Sequence, residues 1–151
     1  MQEENRNIYR TARRAAGYTQ EAAAELLDLS VESVRAYETG LRVPGNDTVE
    51  RMVEVYSTQH LAYQHLKATN ALMSRVVPTL EPRNIMEAAV RLNNRMNRFL
   101  KANTADRLME LAEDGEITAE ERKEFEEIVL SIRELTKAML ELDLYASEKE
   151  G

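Results

Sequence analysis

A very short connection between two helical segments near the start of this chain constrains the fold more than any other feature. The first segment starts with Thr19 and is predicted to run to about Leu27, and the second starts with Ser30 and ends at Gly40. Thr and Ser are favoured N-caps, because their side-chain oxygens accept hydrogen bonds from the free amides of the first turn. Since only residues 28–30 connect the two segments, the helices must cross at a steep angle.

Helix-forming residues dominate the rest of the chain and predict an all-α fold. Ala, Leu, Glu, Arg and Met are common, whereas the 151 residues include only five Gly and three Pro. No alternating run of β-branched residues is long enough for a strand. Further helices are predicted over residues 4–16, from a capping box at Asp47 and Glu50 onward, and over residues 59–74.

Two apolar repeats in the second half of the chain predict a pair of long helices. The repeats consist of Ile85, Ala89, Leu92, Met96 and Phe99, and of Phe125, Ile128, Ile132, Leu135, Met139 and Leu142. Alternating spacings of three and four residues are typical of heptad seams. A turn at residues 114–116 and a capping box at Thr118 and Glu121 lie between them. We therefore predict an antiparallel helical hairpin of residues 83–113 against residues 118–145.

The charge of the chain is unevenly distributed. The net charge is −7, yet residues 83–107 hold six basic against two acidic residues, and residues 110–127 hold nine acidic against two basic residues. Helices of opposite sign can pack side by side. The basic face formed by Arg91, Arg95 and Arg98 can therefore pair with the acidic helix, remain solvated, or bind DNA.

Two segments of the first 57 residues resemble the Cro and lambda-repressor-like helix-turn-helix family, also called the XRE family. Residues 12–21 read ARRAAGYTQE, and residues 29–40 read LSVESVRAYETG, followed by Arg42 and Pro44. The resemblance covers residues 5–57, and Asp28 stands where the family often has Gly. It implies a DNA-binding transcription regulator, with a helix-turn-helix domain at 1–57, a helix and connector at 58–82, and the hairpin at 83–151.

The resemblance also implies roles for individual residues. The third helix would lie in the major groove, with candidate base contacts at Val31, Glu32, Ser33, Arg35 and Ala36. The candidate contacts to the DNA backbone are Thr19, Gln20, Thr39, Arg42 and Asn46. Arg13 and Glu38 match a structural ion pair of the family.

Assembly is predicted from the same resemblance together with the size of the hairpin. Helix-turn-helix proteins usually bind two-fold operators as dimers, and a two-helix hairpin alone has a small core. We therefore assign dimerisation to the hairpin, with candidate residues Phe125, Ile128, Ile132, Leu135, Met139 and Leu142. The alternative is an intrachain bundle with dimerisation elsewhere. The expected partners are double-stranded DNA and a second copy of the chain.

Residues 61–66 and 114–117 resemble phage- and mobile-element-associated regulators more loosely.

Several other functional classes lack support in the sequence. The chain has no Cys, no apolar run long enough to span a membrane and no signal segment, so the cytoplasm is the expected location. No metal site is predicted, because His60 and His65 do not have the spacing of a metal pair. No catalytic residues and no cofactor are predicted either. The second functional hypothesis is an antitoxin or adaptor whose C-terminal helices bind a partner protein. Ten acidic residues against seven Arg across residues 1–57 favour it.

Overall fold

The computed structural model describes residues 7–147, and these residues form helices without any strand. The helices are α1 (Ile8–Ala15), α2 (Gln20–Leu26), α3 (Val31–Glu38), α4 (Asn46–Tyr56), α5 (Gln59–Thr69), α6 (Met73–Val76), α7 (Ile85–Lys101), α8 (Thr104–Leu111) and α9 (Arg122–Ser147). The predicted all-α fold is confirmed for these residues.

The described residues divide into two compact units. Residues 7–79, together with residues 146 and 147, form the first, which we call the head unit. Residues 80–145 form the second, which we call the hairpin unit. Each unit is described by itself below.

A compact apolar core joins the first five helices of the head unit. It is built from side chains contributed by each of these helices: Tyr9, Ala12, Ala23, Leu27, Tyr37, Val49, Met52, Tyr56 and Leu61. Ala23 is fully buried. Because Ala carries little side-chain bulk, α2 can approach its neighbours closely at this position. The core therefore fixes the orientation of α3 relative to α1 and α2.

The helix caps of the head unit agree with the sequence at two of three positions. The Oγ1 atom of Thr19 accepts a hydrogen bond from the Ala22 amide, and the Oγ atom of Ser30 accepts one from the Ser33 amide, both at 3.1 Å. These two predicted caps are confirmed. The capping box predicted at Asp47 is wrong, because the N-cap of α4 lies two residues earlier, at Gly45, which forms no side-chain cap hydrogen bond.

Two predicted helices are interrupted in the structure. The helix predicted over residues 59–74 ends at Thr69, since Asn70 has extended backbone, and the short α6 follows. The first arm of the predicted hairpin was expected to be one helix over 83–113, but it breaks between α7 and α8. Asn103 has a φ of 49°, a left-handed conformation that Asn tolerates better than most residues and that commonly ends helices. The prediction that residues 83–113 form one continuous helix is therefore wrong.

In the hairpin unit, α9 runs antiparallel to α7 and α8. Ion pairs join Arg91 to Glu141, Arg95 to Glu134 and Arg107 to Glu124, so that partners farther along one arm lie earlier along the other. Two of the three basic-face residues thus pair with α9. Thr118 and Glu121 exchange the two backbone bonds of a capping box, as predicted.

A buried carboxylate that the sequence did not reveal lies within this unit. The side chain of Glu141 is fully buried, and its Oε2 atom lies 3.1 Å from the Nε atoms of both Arg83 and Arg91. The Nζ atom of Lys137 lies 3.9 Å from the other oxygen. A buried carboxylate needs such partners, because an unpaired charge is costly away from water.

The predicted apolar seams are used largely within the chain. Ile128 is only 1% exposed, and Phe125, Ile132, Leu135 and Leu142 are partly buried, whereas Met139 is 48% exposed. On α7 the buried alanine is Ala88 and not Ala89. The dimerisation role assigned to the six α9 residues stays a prediction.

Candidate nucleic-acid interface

The turn between α2 and α3 is built from one strained residue and two backbone contacts. Asp28 has a φ of 54°, in the left-handed region that residues other than Gly, Asn and Asp rarely adopt. Its own amide donates to the Glu25 carbonyl at 3.2 Å, and the amide of Leu29 donates to the Ala24 carbonyl at 2.9 Å, which closes the end of α2. The chain can then enter α3 directly after Ser30.

A buried ion pair holds the end of α3 against α1. The Nε and Nη2 atoms of Arg13 donate to the two carboxylate oxygens of Glu38, at 2.5 and 3.0 Å. The Nη1 atom of Arg13 donates to the Tyr18 carbonyl, and the side-chain Nε2 atom of Gln20 donates to the Oε2 atom of Glu38 at 2.9 Å. Arg10 lies at the edge, 3.7 Å from the same carboxylate. The structure thus brings α1, the start of α2 and the end of α3 together around one carboxylate.

The electrostatics of this cluster favour its charged form. Burial alone would raise the pKa of Glu38, but the hydrogen bonds from Arg13 and Gln20 and the charge of Arg13 outweigh burial, so this pKa lies below its usual value. The hydrogen bond to Glu38 likewise raises the pKa of Arg13. Burial raises the pKa of nearby Tyr56 to about 12, which keeps that side chain neutral.

One face of α3 is buried and the other is open. Val34, Tyr37 and Glu38 are buried, whereas Glu32 and Arg35 are exposed. The remaining base-contact candidates, Val31, Ser33 and Ala36, are partly exposed. Within the described residues, neither Glu32 nor Arg35 forms an ion pair or a side-chain hydrogen bond. The five candidates therefore follow the accessible side of one helix, with two charged groups free to bind a ligand.

Some of the side chains predicted to contact the DNA backbone already form hydrogen bonds within the head unit. Thr19 accepts the cap bond described above, and one amide hydrogen of Gln20 is used on Glu38, which leaves the second available. Thr39 is exposed, and its hydroxyl donates to the Arg35 carbonyl at 2.9 Å. Asn46 is exposed at the start of α4.

Arg42 folds back onto α3. Its Nη2 atom donates to the Ser33 hydroxyl at 3.2 Å and to the Tyr37 hydroxyl at 3.1 Å, and its guanidinium lies 5.0 Å from the centre of the Tyr37 ring. The loop after α3 therefore adds a positive charge beside the exposed face of α3, whereas the sequence analysis assigned Arg42 only a contact to the DNA backbone.

A buried histidine positions Asn46, and sequence reasoning missed this contact. The Nδ1 atom of His65 lies 2.9 Å from the Tyr9 hydroxyl, and Nε2 lies 3.0 Å from the Oδ1 atom of Asn46. Because Oδ1 only accepts, Nε2 carries the proton and Nδ1 accepts from Tyr9. Burial lowers the pKa of His65, which favours this neutral form. The Nδ2 group of Asn46 is then the side-chain donor left for a ligand.

Two features of the described residues bear on other functional classes. No cluster of three or more His, Cys, Asp or Glu side chains within residues 7–147 could hold a metal ion. No helix in the same part of the chain is long and apolar enough to cross a membrane.

The comparison with known proteins agrees with the local geometry of α2 and α3. No curated protein and no solved structure matches the chain. Residues 10–66 match the model of a family described as a helix-turn-helix domain, a DNA-binding family related to the XRE type.

Proposed function

We propose that the chain is a dimeric, sequence-specific regulator of transcription of the XRE type, which represses by occupying a two-fold operator. The observation that carries this proposal is the free, exposed face of α3. Glu32 and Arg35 extend from a helix whose other side is anchored in the core. Recognition of base edges in the major groove requires such a rigid helix with unpaired donors and acceptors.

The residues on this face suit different bases. An Arg at position 35 suits two hydrogen bonds to guanine, and a Glu at position 32 suits one hydrogen bond accepted from cytosine. Val31 and Ala36 suit contact with a thymine methyl group, and Ser33 suits either kind of polar edge. The five candidates span residues 31–36, which is between one and two turns of α3.

Contacts to the DNA backbone would set the register of α3 in the groove. We assign them to Thr19, Gln20, Thr39, Arg42 and Asn46, which flank the exposed face or lie at the neighbouring helix starts.

The acidic balance of residues 1–57 affects the affinity for DNA more than the specificity for one sequence. Because nonspecific affinity arises from neutralised phosphates, a segment with ten acidic residues and seven Arg should bind random DNA weakly. Two heads held together by the hairpin unit would engage two half-sites at once and raise the effective concentration of the second head. The looser similarity to phage- and mobile-element-associated regulators, at residues 61–66 and 114–117, fits a dimeric operator-binding regulator.

The proposal is tested by binding a selected duplex with and without the charged side chains of α3. The variant carries Glu32→Ala and Arg35→Ala, and the matched control carries Glu54→Ala and Arg75→Ala, two exposed residues outside α3 that cause the same change in charge. The α3 variant should lose its preference for the selected duplex over a scrambled one, whereas the control should keep it. Equal preference in both would contradict the proposal.

A second function is favoured by one observation, the acidic balance of the head. An antitoxin or adaptor would bind a partner protein through its C-terminal helices and need little DNA affinity. In that case the α3 variant would bind the partner as well as the unchanged protein does. Loss of partner binding in a hairpin variant, without any selected DNA, would favour this function.

A further inference from the structure

A groove runs between α7 and α9 on one side of the hairpin unit. Its α7 side is formed by Arg95 and Arg98, and its α9 side by Glu127, Leu130, Ser131 and Glu134. We call this surface the hairpin groove. Met86 and Val90 adjoin it on α7 and are exposed.

The two ends of the hairpin groove differ in how their charges are paired. At one end the Nη2 atom of Arg95 lies 2.7 Å from the Oε2 atom of Glu134. At the other end Arg98 and Glu127 are both exposed, and neither forms an ion pair within the part of the chain that the structure describes. Leu130 lies between these ends and is 60% exposed. The groove thus combines an uncovered apolar side chain with one free charge of each sign.

We propose that the hairpin groove is the dimer interface, and that a second copy of the chain docks on it groove to groove. This inference rests on the dimer of the proposed function and assigns its surface. A two-fold axis parallel to the groove places α7 of each copy over α9 of the other, so that two hairpins form a four-helix bundle. Arg98 then faces Glu127 of the partner subunit, and α7 of the partner subunit covers Leu130.

The charge pattern favours a second copy over other occupants. A two-fold interface must be complementary to itself, and a groove with a basic side and an acidic side has this property. A nucleic acid would meet Glu127 and Glu134 along the whole α9 side. A strongly acidic or strongly basic protein would likewise be repelled by one of the two sides.

The α9 seam is less suited to the same role. Ile128 lies in the core of its own unit, and Ile132 and Leu135 are partly buried against the chain itself. Polar substitutions there would unfold the hairpin as well as separate two copies. The hairpin groove can be altered at exposed positions, which leaves the intrachain core intact.

Single charge reversals test the groove in the full chain without DNA. Arg98→Glu and Glu127→Arg each place like charges at two symmetry-related contacts. We expect each variant to raise the dimer dissociation constant at least about a hundredfold, that is, about tenfold for each contact, in sedimentation equilibrium. Circular dichroism should show unchanged helix content, because both residues are exposed.

Mixing the two variants separates an intermolecular contact from an intramolecular one. In a heterodimer, the two introduced side chains have opposite charges and would face each other at one contact, while the unchanged Arg98 and Glu127 would pair at the second. Native mass spectrometry resolves the heterodimer from both homodimers by mass. We expect the mixture to recover dimers to within about tenfold of the unchanged protein. A mixture that stays monomeric would overturn the assignment of this pair.

An apolar substitution provides an independent test. Leu130→Glu should produce monomers, whereas Met109→Glu, on α8 and 72% exposed, should leave the dimer unchanged. Dimers that persist in all groove variants, or an unchanged protein that is monomeric, would overturn the inference. The readout is assembly alone, so persistent dimers together with a selected operator would refute the groove and leave the proposed function standing. Dimers that depend on the groove, without any selected operator, would support the groove and refute the proposed function.

Discussion

Arg13 and Glu38 form a buried two-point ion pair that ties α1 to the last residue of α3, with nitrogen–oxygen distances of 2.5 and 3.0 Å. The side chain of Glu38 is 2% exposed, and that of Arg13 is 8% exposed. The pair therefore fixes the helix that we propose to enter the major groove, without itself being open to DNA. Its role is to position α3.

Removal of one partner of this pair should destabilise the head unit strongly. Glu38→Ala leaves the Arg13 guanidinium buried without its carboxylate, and such changes typically cost about 3–5 kcal/mol. Chemical denaturation followed by circular dichroism measures the loss. Arg10→Ala is the control, because Arg10 is 44% exposed at the edge of the same carboxylate and should cost less than about 1 kcal/mol. Similar losses for both variants would contradict a dominant role for the Arg13 contact.

The stability of the head unit should fall as the pH is lowered across the range in which His65 titrates. The pKa of His65 is lowered by burial in the folded protein, so the unfolded chain binds more protons between the folded pKa and the ordinary value of about 6.5. The contribution of neutral His65 is therefore present above the unfolded pKa and is lost as pH falls toward the folded pKa. Denaturation at a series of pH values from about 7.5 to about 5.5, which bracket the ordinary pKa, measures this slope. His65→Gln should flatten it, and an unchanged slope would exclude His65 as its source.

Asp28 should respond to substitution in opposite directions. Since its φ of 54° suits Gly, Asp28→Gly should be neutral or stabilise the protein by up to about 1 kcal/mol. Asp28→Val should cost at least about 1–2 kcal/mol, because a β-branched residue is strained in this region. Thermal unfolding of both variants measures the difference, and a Val variant as stable as the Gly variant would refute the strained turn.

Arg35 and Arg42 should affect DNA binding in different ways. Arg35→Ala should relax the preference at one base-pair position and cost about 1–3 kcal/mol on the selected duplex, because base contacts specify. Arg42→Ala should weaken binding to all duplexes and reduce the salt slope by about one, because phosphate contacts are independent of sequence. Titrations of matched and mismatched duplexes at several salt concentrations separate the two. Arg42→Lys keeps the charge and should retain the salt slope.

The features that local chemistry determines could be predicted from the sequence. The caps at Thr19 and Ser30 depend only on residues within three positions. The left-handed conformation of Asp28 agrees with the resemblance to the XRE family, which often has Gly at this position. Asn103 is also a local signal, since Asn is a common helix-ending residue, but the predicted arm over residues 83–113 continued past the last seam residue, Phe99, without using it.

The contacts between distant parts of the chain could not be predicted in the same way. His65 bonds to Tyr9 across 56 positions, and Glu141 bonds to Arg83 across 58. Each of these residues is ordinary in its local context, and only packing reveals the pairing. The folding back of Arg42 onto Ser33 depends likewise on the path of the loop after α3.

Selection of a random duplex library by the full chain at moderate salt, followed by sequencing, tests the central claim most directly. We predict enrichment of a palindrome whose half-sites lie about one helical turn apart, as expected for two α3 helices held in one dimer. A folded, dimeric protein that enriches no motif would contradict the claim that this chain is a sequence-specific operator-binding regulator.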